Sequence, residues 1–448
     1  MMKRKIVGAL RARVAITAVL FAFASAAVVS ADGSAYGASG LTIAPGATAR
    51  ELGFAWFTSS PAKPVVQVAL KADQKGDAFP VVRAKTFVGT SGMVTATAFN
   101  ADDKTVSVGF YADRVTVTGL TESTEYVYRV GDGTRWTVPT TIATRDPLRF
   151  GFLVVGDPQL GSKAAGAKTL EADTAGWAAT IDKATTAFPG ASFLVSLGDQ
   201  VNDYLSLSTQ VAEYEAFFSP VQLRSLPMAT VDGNHDFAMG DFYGAHYNQP
   251  HLSAKYGSVY GNDGDYWFLY GNVLFMMLNS NSENVAAHDL FIRDTVAQNP
   301  GATWRVACFH HSIYSEADHP MDPDILDRRA TYAPVFERYG IDVVLQGHDH
   351  AYTRTFPMAK GKPVDGVDPR AVSVTDPAGI VYFTLDSASG SKFYDWKNPS
   401  PEAYSAARWQ GKVPSFSYIT VDGKSFSVAT FRADDMSLID SYSIAKTR

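Results

Sequence analysis

Six of the nine histidines in this 448-residue chain stand in or beside five short segments that also hold Asp, Asn and Gln. These are "GDPQ" with Asp157 and Gln159, "GDQVND" with Asp199 and Asn202, and "GNHD" with Asn234, His235 and Asp236. "FHHS" follows with His310 and His311, then "GHDH" with His348 and His350. Together they offer about three carboxylate or amide oxygens and three or four imidazoles. One Zn²⁺ takes about four ligands, so the set is too large for one ion and suits two that share a bridging carboxylate. Mixed oxygen and nitrogen ligation suits Zn, Fe, Mn or Co and is unlike an all-oxygen Ca²⁺ cage. Two metals about 3.5–4 Å apart are a device for hydrolysing phosphate esters. Each neutralises phosphoryl charge, and water held between them is acidified enough to attack at neutral pH.

Each segment ends an apolar run of strand type: "RFGFLVV", "FLVSL", "PMATV", "WRVAC" and "DVVLQ". A lone Asp or His at a strand end is ordinarily a turn or core residue. Five such ends in one chain are what a shared rim requires, because ligands in α/β folds bind beyond the carboxyl ends of strands. Gly precedes the key residue in four of the five, which implies a tight turn there. Between the strands lie helical patterns. Trp177, Ile181, Ala184 and Phe188 make one face, and Val211, Tyr214 and Phe218 another. Residues 147–448 therefore read as an α/β domain with a largely buried sheet. Residues 40–146 read differently, as short Val-, Thr-, Phe- and Tyr-rich strands between turns, and predict an antiparallel β-sandwich without a catalytic cluster.

The bulk numbers narrow the class. Hydrophobic residues make up 46% of the chain, enough for sizeable cores, and the formal net charge of −6 argues against nucleic acid as a partner. The start, "MMKRKIVGALRAR", is basic and is followed by an uncharged apolar stretch and small residues at Val29-Ser30-Ala31. That pattern predicts a signal peptide over residues 1–31, and so a secreted, extracytoplasmic protein with no stable membrane anchor after cleavage. A single cysteine, Cys308, allows no intrachain disulfide and sits in a strand pattern as a small buried filler.

The order "GD…GD…GNHD…H…GHDH" resembles the calcineurin-like metallophosphoesterase family over residues 150–355, and "GHDHAYTR" is similar to the purple acid phosphatase version of the last motif. "VTVTGLTESTEYVYRV" resembles a fibronectin type III sheet corner, with Tyr126 as the corner tyrosine, and purple acid phosphatases carry such a domain at the N-terminus. The resemblance implies a two-sheet α/β sandwich and two divalent or trivalent transition metal ions, Fe, Mn or Zn. Asp199 would bridge them. Asp157 and His350 would hold the first metal, with Gln159 offering its amide oxygen where non-purple members have His. Asn234, His311 and His348 would hold the second, His311 being the residue aligned with the family's ligand. His235 would bind the substrate phosphate or protonate the leaving oxygen. His319 lies near the family's second phosphate-contacting His, at a spacing about two residues shorter. Purple enzymes place a Tyr three residues after the bridging Asp. That position is Asn202 here, with Tyr204 two further on, so no phenolate–iron bond is expected.

The reading is a phosphomonoesterase that acts on a small phosphate ester or nucleotide. A phosphodiesterase or nucleotide hydrolase on the same metals is an alternative, as is a binding protein on a degenerate scaffold. Six aromatic residues, Phe237, Phe242, Tyr243, Tyr247, Tyr256 and Tyr260, crowd one loop. They form either a stacking wall for a substrate or packing under the loop.

Overall fold

The structure, a computed structural model, describes residues 36–97, 105–162, 167–204, 206–236, 242–259, 263–368 and 370–447. The expected signal peptide, Phe237 and Tyr260 lie outside the described residues.

Eight strands come first: β1 (Ser39–Pro45), β2 (Leu52–Thr58), β3 (Val65–Leu70), β4 (Lys85–Val88), β5 (Thr90–Thr97), β6 (Thr105–Val117), β7 (Glu125–Gly131) and β8 (Thr140–Ala143). They form two antiparallel sheets, β1-β2-β6-β5 and β4-β3-β7-β8. Phe54, Trp56, Val66, Val115, Tyr128 and Val130 fill the space between the sheets. This is the expected sandwich. The Tyr126 hydroxyl accepts the Thr121 N–H at 2.7 Å, which pins the corner before β7.

The rest of the chain supplies β9 (Arg149–Val155), β10 (Leu194–Ser196), β11 (Met228–Thr230), β12 (Tyr266–Tyr270), β13 (Val273–Met277), β14 (Trp304–Cys308), β15 (Val343–Gln346) and β16 (Tyr352–Thr355). After these come the short β17 (Met358–Ala359) and β18 (Lys362–Pro363), then β19 (Ser373–Thr375), β20 (Val381–Thr384), β21 (Ser405–Trp409), β22 (Ser415–Asp422), β23 (Ser425–Arg432) and β24 (Leu438–Ala445). Two seven-stranded sheets result, in the orders β11-β10-β9-β22-β23-β24-β19 and β12-β13-β14-β15-β20-β16-β21. They face each other across a core that includes Phe152, Val195, Phe275, Val306, Cys308, Ile419 and Phe426. Helices α1 (Ala167–Ala187) and α2 (Leu207–Phe217) cover the outer face of the first sheet. After the single-turn α3 (Phe242–Ala245), α4 (Val285–Gln298) and α5 (Pro323–Arg338) cover the second. No helix among the described residues is long and apolar enough to cross a membrane.

This arrangement decides where strand ends meet. β9, β10 and β11 run parallel in the first sheet, and β13, β14, β15 and β20 run parallel in the second. The five predicted strand ends thus come from both sheets, three from one and two from the other. A parallel bridge between Gly156 and Ser387, just beyond β9 and β20, joins the two rims.

Three sequence-based details are refined. Trp177, Ile181 and Ala184 face the core as the periodicity requires, while Phe188 stacks on Tyr418 at 4.0 Å, just past the helix end. In α2 the buried residues are Gln210, Glu213, Tyr214 and Phe217, whereas Val211 and Phe218 are half-buried. A hydrophobicity pattern misses this face because half of it is polar. Of the loop aromatics, Phe242, Tyr243 and Tyr247 are buried, and they pack with Phe57 and Phe110 of the sandwich in one shared core. For these three residues the packing reading replaces the stacking wall.

Candidate metal centre

The loops after β9, β10 and β15 are left-handed at the residues that matter. Asp157, Gln159, Asp199, His348 and His350 have φ of 40, 38, 47, 72 and 44°. A non-glycine residue rarely adopts this backbone, and it costs about 1–3 kcal/mol where the surroundings impose it. Five of the seven expected metal-binding residues share it, so the fold holds these side chains against a local preference. The glycine ahead of Asp199 has φ 91°, as a tight turn needs. The one ahead of Asn234 serves close approach instead: a Cβ on Gly233 would meet Asp199 Oδ1 at 2.2 Å.

The side chains converge. Asp157, Asp199 and His350 each bring a donor atom within 4.8 Å of the others. His350 donates its Nδ1–H to the Lys392 carbonyl at 2.9 Å, leaving Nε2 at 3.7 Å from Asp157 Oδ1. His310 donates its Nδ1–H to the Leu197 carbonyl at 2.8 Å. Its Nε2 lies 3.0 Å from Asn234 Oδ1, 3.4 Å from Asp199 Oδ2 and 3.2 Å from His348 Nδ1. A carbonyl partner on one ring nitrogen fixes the tautomer and aims the other, as in histidine metal ligands.

His311 is placed differently from the expectation. Its Nδ1 meets the Ser280 hydroxyl at 2.7 Å and its ring packs beside His348, with centroids 4.7 Å apart. The imidazole that faces Asn234 and Asp199 is His310. Two adjacent histidines after a strand point to different sides, and "FHHS" alone does not say which points inward.

Gln159 is 1% exposed and its Oε1 has no hydrogen-bond partner, while its Nε2 reaches Asn202 Oδ1 at 3.3 Å. An orphaned buried carbonyl costs about 1–3 kcal/mol unless something accepts its lone pair. A cation beside Asp157 would do so. The donor chemistry therefore fits a bound metal ion.

The electrostatics agree. Burial pushes the Asp157 carboxyl up to about 8, against the pull of His310. Burial would also raise Asp199, but His310 and His235 outweigh it and hold that carboxyl well below the usual range. Burial drives His350 down to about 3 and His348 well below its ordinary value, keeping both as the neutral imidazoles that ligate metals.

Two histidines flank the cluster. His235 donates its backbone N–H to Asp199 Oδ1 at 2.9 Å and its Nδ1–H to the Asn202 carbonyl at 2.6 Å, which frees Nε2. His319 sits with Nδ1 at 2.8 Å from Asp322 and stacks on His348 with centroids 4.3 Å apart. The shorter spacing still brings it to the site. Tyr204 is 45% exposed and packs edge-on to His235, 5.4 Å between centroids.

The sequence reading passed over the residues that lock these loops. Asp349 accepts the N–H groups of Glu316, Ala317, Asp318 and His319 at 2.7–3.3 Å, so the last motif holds the segment that carries His319. Asp236 does the same for Gly233 and Gln200, both at 3.0 Å, and takes the Tyr214 hydroxyl at 3.1 Å. Glu213 Oε2 accepts the Asn202 and Asp203 N–H groups at 2.9 and 2.7 Å. Ser387 donates to the Asp157 carbonyl, and Ser389 and Ser391 donate to that of Pro158.

The comparisons with known proteins follow the same division. Residues 150–352 match the calcineurin-like phosphoesterase family, and residues 38–144 match the purple acid phosphatase N-terminal domain. Two uncharacterized Mycobacterium tuberculosis proteins, from strains CDC 1551 / Oshkosh and ATCC 25618 / H37Rv, are each 25% identical over 313 residues. Each match covers 62% of this chain and only 58% of the relative. Among solved structures, the purple acid phosphatase PPD1 of yellow lupin (Lupinus luteus) superposes with a TM-score of 0.71 at 15% identity, over 92% of this chain and 75% of that one. PhoD superposes with a TM-score of 0.52 at 12% identity, over 90% and 89%.

Proposed function

We propose that this chain, a calcineurin-like phosphoesterase domain carried behind a purple acid phosphatase N-terminal domain, is an exported enzyme that hydrolyses phosphate monoesters at a pair of metal ions. The observation that carries the reading is the meeting of ligand side chains from both sheets on one rim, with Gln159 Oε1 buried and unpartnered among them. Asp157, His350 and Gln159 would hold one ion, Asn234, His310 and His348 would hold the other, and Asp199 would serve both, with His310 standing where His311 was expected. When bound, two such ions neutralise phosphoryl charge and acidify the attacking water. The fibronectin-like reading of the sandwich is supported by the Tyr126 corner, and export by the basic-then-apolar N-terminal pattern.

The protein's own groups do the rest. Water adds to phosphorus as the ester P–O bond breaks, and the departing oxygen needs a proton. The His235 ring is fixed by its Nδ1–H bond to the Asn202 carbonyl, so only Nε2 can meet the substrate. As an imidazolium it gives that proton to the leaving oxygen. His319, held by Asp322 and stacked on His348, would be a second contact for the phosphate.

The test compares aryl phosphate monoesters and diesters, and then His235→Ala on good and poor leaving groups. The monoester should be the better substrate. The variant should keep its metals and lose about 10²–10⁴-fold on an alkyl phosphate, with a smaller loss on a nitrophenyl phosphate. Equal loss on both would make His235 a phosphate-positioning group. No hydrolysis of either ester class would favour a binding protein on a degenerate scaffold.

A further inference from the structure

The loop after β20 brings a second kind of group to the rim. Lys392 gives its carbonyl to His350, and two residues on, Tyr394 sets its ring against both His350 and His319, with centroids 5.0 and 5.3 Å away. The Lys392 ammonium lies over that ring, 4.6 Å from its centroid. Its field reaches Asp157 and His350.

The charges around it are already taken. Lys397 pairs with Asp318 at 3.5 Å, Lys412 with Asp395 at 2.8 Å, and His319 with Asp322. Lys392 Nζ has no ion-pair or hydrogen-bond partner among the described residues. A half-buried lysine whose ammonium lies over an aromatic ring beside two of the site histidines attracts an anion that enters there. Lys392 is separated from His350 and His319 by the Tyr394 ring, which leaves it beside the histidines rather than among them.

We infer that Lys392, seated on Tyr394, is a specificity-determining residue that binds a second anionic group on the leaving portion of the substrate. The favoured substrates are then phosphate esters or anhydrides whose leaving group carries its own phosphate or carboxylate. This rests on the phosphoesterase reading above.

The experiment measures kcat/KM of the metal-loaded enzyme on phenyl phosphate and on 4-carboxyphenyl phosphate, which differ only by a carboxylate on the leaving group. Wild type should prefer the carboxylated ester at low salt, and added salt should shrink the preference. Lys392→Ala should lower the ratio of the two values about fivefold or more, mostly through KM, and remove its salt dependence. Lys392→Arg should restore the ratio, and Lys397→Ala, whose charge is already paired, should leave it in place. A ratio unchanged in Lys392→Ala would overturn the inference while leaving the phosphoesterase reading intact, as would an equal loss on both esters. Failure of wild type to hydrolyse either ester would overturn both.

Discussion

At the scale of single residues, the site is a set of side chains held where their backbones do not prefer to be. Asp157, Gln159, Asp199, His348 and His350 are all left-handed, and hydroxyls from Ser387, Ser389 and Ser391 hold the first of these turns in place. Residue types and motif order made most of this set legible in the sequence, because few other arrangements put Asp, Asn and His at five apolar strand ends. What stayed illegible was direction. His310 and His311 are equally polar and adjacent, and only the strand's pleat and the Leu197 carbonyl decide that His310 turns inward. This gives a direct comparison. His310→Ala removes a ring nitrogen that faces Asn234 and Asp199, and should lose most bound metal at the second position together with activity. His311→Ala removes a ring tied to Ser280, and should keep its metal content and lose less rate. Metal analysis of the two dialysed variants settles the assignment; equal metal loss would contradict it.

At the scale of elements, strands deliver ligands and helices lock the loops between them. The strands could be read because apolar runs ending in Gly and Asp are distinctive. The role of α2 could not, because its buried face is half polar. Glu213 and Gln210 look like solvent-facing residues in a periodicity count, yet they point inward to take the Asn202 and Asp203 N–H groups and to reach the His235 carbonyl. Burial raises the Glu213 carboxyl from the ordinary 4.5 to about 7. Between those values the folded protein keeps a proton that the unfolded chain has lost, so this residue's contribution to stability falls as pH rises through that window. Glu213→Gln keeps an acceptor oxygen and removes the charge. Its melting temperature relative to wild type should therefore rise by about 2 °C or more between pH 5 and pH 8. A difference that does not change with pH would mean that Glu213 ionises normally in the folded state.

At the scale of the whole molecule, two sheets of different topology share one rim, and the sandwich braces the segment that follows "GNHD". Arg114 donates to the carbonyls of Gly244 and Tyr247, Thr42 donates to that of His246, and Phe57 and Phe110 pack on His246 and Phe242. The division into sandwich and α/β halves was readable from texture alone. Their shared core was not, since the loop aromatics that form it resemble a ligand wall until their partners across the interface are known. The proposal built on this architecture is that the rim holds two metal ions with Asp199 shared between them. Elemental analysis of the purified active protein tests it most directly, with Asp199→Ala alongside. About two transition metal ions per chain in the wild type, and nearly none in the variant, is the predicted result. Full activity with no more than about one ion per chain, or a variant that keeps its metal, would contradict it.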